Sequence, residues 1–120
     1  MQRHSAIMTK TQKTFLFDLL QTPSPTGFEV EGQRKWAGYV KKFADSVEND
    51  AYGTAWATIK GSARSPRKVM LEAHADEIGY MVKHVTSDGF LRIDRIGGSD
   101  CATARGRRLT VFGDADAIDA

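Results

Sequence analysis

Val69-Met70-Leu71-Glu72-Ala73-His74-Ala75-Asp76-Glu77-Ile78-Gly79 is the stretch that decides how this chain is read. It opens as an apolar run and passes abruptly into ionisable residues. Such a run predicts a short buried strand over 69–73, and polar groups at the carboxyl end of a buried strand are where open α/β sheets place their sites. On an extended backbone His74 and Asp76 point to the same side, joined there by Glu72, while Glu77 points to the other. A carboxylate in that position can accept the second ring N–H of a metal-bound imidazole and so fix its tautomer. His-x-Asp pairs also arise by chance, as a surface histidine beside a solvated carboxylate. Against that, ionisable residues ending a strongly apolar strand are costly unless they are paired or metal-bound.

Upstream, the pattern is helical. Thr9 with Gln12 forms a capping-box pair, and Phe15, Leu16, Leu19 and Leu20 recur at helical spacing, which predicts a helix over 9–21. Thr22-Pro23-Ser24-Pro25 stops it. Thr26 and Glu29 then read as a second capping box, opening a helix that runs to about Ala44 and buries Val30, Ala37, Val40 and Ala44, flanked by Trp36 and Phe43.

From Val47 onward short extended segments are expected, at 54–60, 78–85, 90–96 and 109–112. Lys60 to Lys68 carries four positive charges and no acid, yet is read as a solvated hairpin loop rather than a phosphate contact. Arg105, Arg107 and Arg108 lack the interleaved aromatics of a nucleic-acid platform. Ile96-Gly97-Gly98-Ser99 reads as a turn, and 114–120, acidic and alanine-rich, as a tail without a partner strand. His84 is read as an exposed strand histidine, Cys101 as a buried or idle thiol, and His4 and the first seven residues are given no function.

Composition sets the outer bounds. The chain has 120 residues, a formal charge of +2, 41% hydrophobic and 27% charged residues, which describes at most one domain's worth of ordinary globular sequence. A chain this long can bury roughly two thirds of its unfolded surface. A single cysteine excludes an intramolecular disulfide and a cysteine-based zinc cage and fits a reducing, cytoplasmic setting. No apolar run approaches the ~20 residues of a membrane span, and the polar stretch Thr9 to Lys13 stands where a secretory signal would be apolar.

The run Met70 to Val85, followed by Asp88-Gly89-Phe90-Leu91-Arg92 and Ile96-Gly97-Gly98, resembles metallopeptidase family 42, which includes tetrahedral, glutamyl and deblocking aminopeptidases and proteins named FrvX or CelM-type endoglucanase. Pro23-Ser24-Pro25-Thr26-Gly27-Phe28-Glu29 matches the family's opening turn, and Asp50-Ala51-Tyr52-Gly53-Thr54 its Asp-x-x-Gly-Asn element, with Thr54 in the Asn place. The resemblance implies an α/β fold: residues 1–78 as the N-terminal part of a zinc-aminopeptidase-like mixed-sheet catalytic domain, running into an inserted β-rich dimerisation domain that 79–120 would open. It implies an aminopeptidase using two divalent metal ions, zinc or cobalt, acting on peptide substrates and assembled as dimers into a dodecamer. Carried over by position, His74 is a metal ligand and Asp76 belongs to the catalytic set as the carboxylate behind it. The family's bridging Asp, Glu pair, further Asp and final His fall past this chain's last residue, so a truncated N-terminal portion, inactive alone, is expected. The competing readings are a non-catalytic interaction fragment and, within the family, glycan hydrolysis; the latter wants paired carboxylates flanking a sugar, which the sequence does not position.

Overall fold

The computed structural model describes residues 8–65, 67–113 and the backbone of 117–119, and the chain divides into two compact units, Met1–Glu77 and Ile78–Ala120. In the first unit, α1 (Lys10–Leu20) starts where the sequence signal puts it. Thr9 Oγ1 accepts the Gln12 N–H at 3.2 Å, and the Gln12 side chain returns to accept the Thr9 N–H at 2.8 Å. Thr9→Ala is therefore expected to lower unfolding stability by about 1 kcal/mol, read by urea denaturation followed by circular dichroism.

The second helix, α2 (Val30–Val40), departs from expectation at both ends. Its N-cap is Glu29, whose side chain makes no capping bond; the Glu29 carboxylate instead accepts the Gly27 N–H at 2.8 Å. Gly27 stands at φ +90°, so the helix does not start behind Thr26 and the second capping box does not form. The helix closes at Val40, with Lys41 as C-cap, rather than reaching Ala44, because the chain must reverse there to enter β1 (Ser46–Asn49). That strand pairs antiparallel with β2 (Ala55–Thr58), and α2 packs against both β2 and α1.

The interior of this unit is small. Val40 is the buried hydrophobe among the described residues, at 8% exposure, whereas Val30 and Phe43, expected on or beside the buried face, are exposed. The two helices are joined by aromatic rings: Phe15 stacks on Tyr39 at 3.7 Å between centroids, and Phe43 meets Tyr39 edge-on at 5.7 Å. Thr22, also buried, satisfies its hydroxyl on the Asp18 carbonyl at 2.7 Å.

The 69–73 strand does not form. Residues 67–76 carry no ladder among the described residues, and Val69, Met70 and Leu71 are 81%, 82% and 93% exposed. A strand needs a neighbour to accept its N–H groups, and among the described residues β1 and β2 of this unit pair only with each other.

The second unit is built from hairpins. β3 (Gly79–Val85) pairs antiparallel with β4 (Leu91–Ile96), with a bulge between Val82 and His84; a 3-10 turn of helix follows at Cys101–Ala104, and β5 (Thr110–Phe112) pairs with β6 (Ala117–Asp119). The pairing of β6 corrects the reading of 114–120 as a tail: three main-chain registers suffice for a ladder without side-chain alternation, and 114–116 and 120 lie outside the described residues, as do the first seven. His84 is exposed on β3 opposite Arg92, as expected, and Cys101 is exposed rather than buried. Gly97 turns with φ +84°, and a Cβ there would stand 3.1 Å from Ile78 Cγ2, so both backbone and space call for glycine.

Candidate functional site

Three segments of the first unit meet around the His-x-Asp-Glu stretch. Glu77 is tied to the proline turn by three marks: its N–H donates to the Ser24 carbonyl at 2.9 Å, its carboxylate accepts the Ser24 N–H at 2.9 Å, and Pro25 and Glu77 form a parallel bridge. Glu77 thus points away from the histidine and works as a staple. Glu72 is exposed and makes no hydrogen bond among the described residues.

His74 Nδ1 lies 2.9 Å from Asp76 Oδ1 and 2.8 Å from the Asp76 carbonyl oxygen. Both partners are acceptors, so Nδ1 must carry the proton and, in the neutral ring, Nε2 holds the lone pair. No described residue bonds to Nε2, and the His74 side chain is 84% exposed. The other Asp76 oxygen, Oδ2, accepts the Thr26 hydroxyl at 2.7 Å.

Electrostatics follow from these contacts. The hydrogen bond from His74 to the Asp76 carboxylate raises the imidazole above its ordinary 6.5, aided by the Asp76 carbonyl and by the carboxylate's charge. The Thr26 hydroxyl, then His74, hold the Asp76 carboxyl below its ordinary 3.8. The stabilisation from a raised imidazole is complete below 6.5 and is lost as pH rises through the folded value; that from a depressed carboxyl is complete above 3.8 and is lost as pH falls. Between those two values both are in place. Asp76→Asn is expected to lower the His74 titration midpoint, read from ring-proton shifts across a pH series; an unmoved midpoint would show that the contact does not persist in solution.

A shallow cleft of ≈160 Å³ adjoins Asp76, lined by Glu29, Gln33, Tyr52, Gly53, Thr54 and Ala75 as well. Its far wall is the Asp50–Thr54 turn, in which Asp50 Oδ1 accepts the N–H groups of Tyr52 and Thr54, each at 2.9 Å, and Gly53 sits at φ +87°. Thr54 contributes through its main chain, also accepting the Asp50 N–H at 3.0 Å, which explains how threonine can stand in the Asn place locally. A larger groove of ≈620 Å³ between α1 and α2 is lined by Lys10, Phe15, Lys35, Tyr39 and Lys42, and the acid along it, Asp18, is neutralised by Lys35 at 2.7 Å.

The donor set at His74 suits one corner of a metal site. An imidazole backed at Nδ1 by a carboxylate presents Nε2 outward, the arrangement that metal-binding histidines adopt. No group of three or more His, Cys, Asp or Glu side chains converges among the described residues, so the site is not complete within them. The link that sequence reasoning missed is Thr26, because its spacing to Glu29 mimics a helix cap and nothing local points across to Asp76.

The M42 glutamyl aminopeptidase family model matches residues 53–120. The chain is 42% identical over 95 residues to the lysyl aminopeptidase of Pyrococcus furiosus, covering 78% of this chain and 27% of that one. It is 32% identical over 99 residues to the putative aminopeptidase SgcX of Escherichia coli, covering 82% and 26%. Among solved structures, a TET aminopeptidase from a marine-sediment Thaumarchaeota archaeon superposes with a TM-score of 0.81 at 27% identity, covering 89% of this chain and 29% of its own. The chain therefore spans about a quarter of the length of the relatives it matches. With the sequence match running through the β3–β4 hairpin and the structural match reaching over most of the chain, the mixed helix and strand fold is accounted for, and the chain belongs to the M42 glutamyl aminopeptidase family.

Proposed function

We propose that this chain forms the His74 corner of a metal-dependent aminopeptidase that removes N-terminal residues from peptides. The observation that carries the reading is the imidazole held at Nδ1 by Asp76 with its Nε2 facing out. His74 would ligate one of two divalent ions, zinc or cobalt, both of which suit imidazole and carboxylate donors. Such a metal pair, when bound, supplies an activated water and a polarised carbonyl. Asp76 raises the basicity of His74 as a ligand and fixes its ring, while Glu77 and Ser24 lock the segment in place. The remaining ligands and the general base would come from outside these 120 residues.

The division of the chain near residue 78 supports the further proposal that residues 1–78 belong to the catalytic α/β domain and 79–120 open a β-rich dimerisation domain, within a dimer-based dodecamer. No described helix is long and apolar enough to cross a membrane. The proposed setting, the cytoplasm, rests on the single cysteine of the sequence.

The test is a chimera in which this chain replaces the matching segment of the Pyrococcus furiosus lysyl aminopeptidase. Hydrolysis of lysyl-p-nitroanilide that disappears on chelation and returns with zinc or cobalt supports the reading. A folded chimera that binds both ions and turns over equally well without His74 overturns it.

A further inference from the structure

We propose that Thr26 is a positioning residue for this site: its hydroxyl aims the Asp76 carboxylate at His74, so that a turn fifty residues upstream, together with the Asp76 main-chain carbonyl, holds the tautomer of the ligand. The inference deepens the reading of His74 as a metal ligand and rests on it for its functional meaning, though not for its geometry.

A carboxylate on a single Cβ–Cγ bond can rotate, and a rotated Asp76 would leave His74 Nδ1 with the Asp76 main-chain carbonyl alone, at 2.8 Å. Two contacts define its plane. Thr26 Oγ1 donates to Oδ2 at 2.7 Å and His74 Nδ1 donates to Oδ1 at 2.9 Å, so each oxygen has one donor. The hydroxyl must itself be held, and the turn carrying it is fastened on both sides. Before Thr26, Ser24 exchanges two hydrogen bonds with Glu77; after it, the Phe28 N–H donates to the Pro25 carbonyl at 2.8 Å and the Gly27 N–H to the Glu29 carboxylate at 2.8 Å. Gly27 takes φ +90°, a conformation costly for any residue with a Cβ, which lets the chain leave the turn while Thr26 faces Asp76. Glu77, next in sequence to Asp76, is thus anchored to the same turn that orients Asp76. This is a built relay from turn to carboxylate to imidazole.

A neutral histidine in water favours the proton on Nε2, which would block that atom as a ligand. Holding the proton on Nδ1 keeps the Nε2 lone pair available. Thr26 acts on that balance only through Asp76.

The experiment uses the 120-residue chain, labelled with nitrogen-15, at a pH well above the imidazole titration. The ring nitrogen shifts of His74 are expected to report the Nδ1–H form in the wild type, to move toward the Nε2–H form in Thr26→Val, and to return in Thr26→Ser. Unchanged shifts in Thr26→Val would overturn the proposal, as would a Thr26→Ser chain that behaves like Thr26→Val. Because valine could loosen the turn, the χ1 couplings of residue 26 in the unsubstituted chain give a second reading: a single rotamer that averages in Asp76→Ala supports the relay, and an averaged rotamer before substitution overturns it. Neither readout involves metal or turnover, so failure here is distinct from a chimera that stays active without His74.

Discussion

His74→Ala in the chimeric aminopeptidase is expected to lower kcat/KM for lysyl-p-nitroanilide by about 10³-fold or more and to remove one of the two metal equivalents per subunit. The size follows from what is lost. A metal positioned against the reacting carbonyl and its water contributes several kcal/mol of charge stabilisation, and each 1.36 kcal/mol is about a factor of ten. Alanine leaves the other outer partners intact, since Asp76 keeps the Thr26 hydroxyl and Glu77 keeps Ser24, so the segment has no reason to move. Steady-state kinetics together with metal content by atomic emission separate the cases. Loss of activity with both metals retained would make His74 a group that touches substrate rather than a ligand.

Val40→Asp is the substitution expected to cost the most stability, about 3 kcal/mol or more, enough to abolish cooperative thermal unfolding in the isolated chain. Three effects act together. Val40 is 8% exposed, so a carboxylate there is desolvated. As the last residue of α2 it sits at the negative end of the helix dipole, which disfavours negative charge. The Phe43 and Ala44 N–H groups both donate to the Val40 carbonyl, at 3.0 and 2.9 Å, so a shift of this residue also disturbs the exit toward β1. Val40→Ile, which keeps the β-branch and the polarity and adds one methyl, is expected to stay within about 1.5 kcal/mol of the parent. Equal effects from the two would mean that the position is not interior in solution.

How much of this was legible in the sequence depends on the range over which each residue acts. Thr9 and Gln12 interact across a single turn, and the helix they open starts where their spacing says it should. Gly97 and the segments flanking it likewise carry their information locally, and β3, β4 and β5 lie within the expected stretches. Thr26 with Glu29 has the same local signature as Thr9 with Gln12, yet Gly27 at φ +90° keeps 26–29 out of the helix and Thr26 donates to Asp76, and nothing within a four-residue window shows that the carboxylate is near. The apolar run 69–73 fails as a strand for a related reason. Hydrophobicity states that a segment is meant to be covered, while a ladder depends on a neighbour that composition does not reveal. The pair His74 and Asp76 was readable because residues two apart on an extended backbone share a side, whereas the Thr26 hydroxyl that orients the carboxylate was not.

The uncovered Val69-Met70-Leu71 has a consequence for how long the chain survives. Three large apolar side chains in sequence, behind the basic Arg67-Lys68 and without a ladder, form an accessible handle that endoproteases can draw into an active site and that another unsatisfied strand can template upon. Met70 adds a chemical clock, since an exposed thioether is oxidised to a sulfoxide that turns the middle of this handle polar. Limited proteolysis of the 120-residue chain is therefore expected to cut first at this stretch, before the helices are attacked.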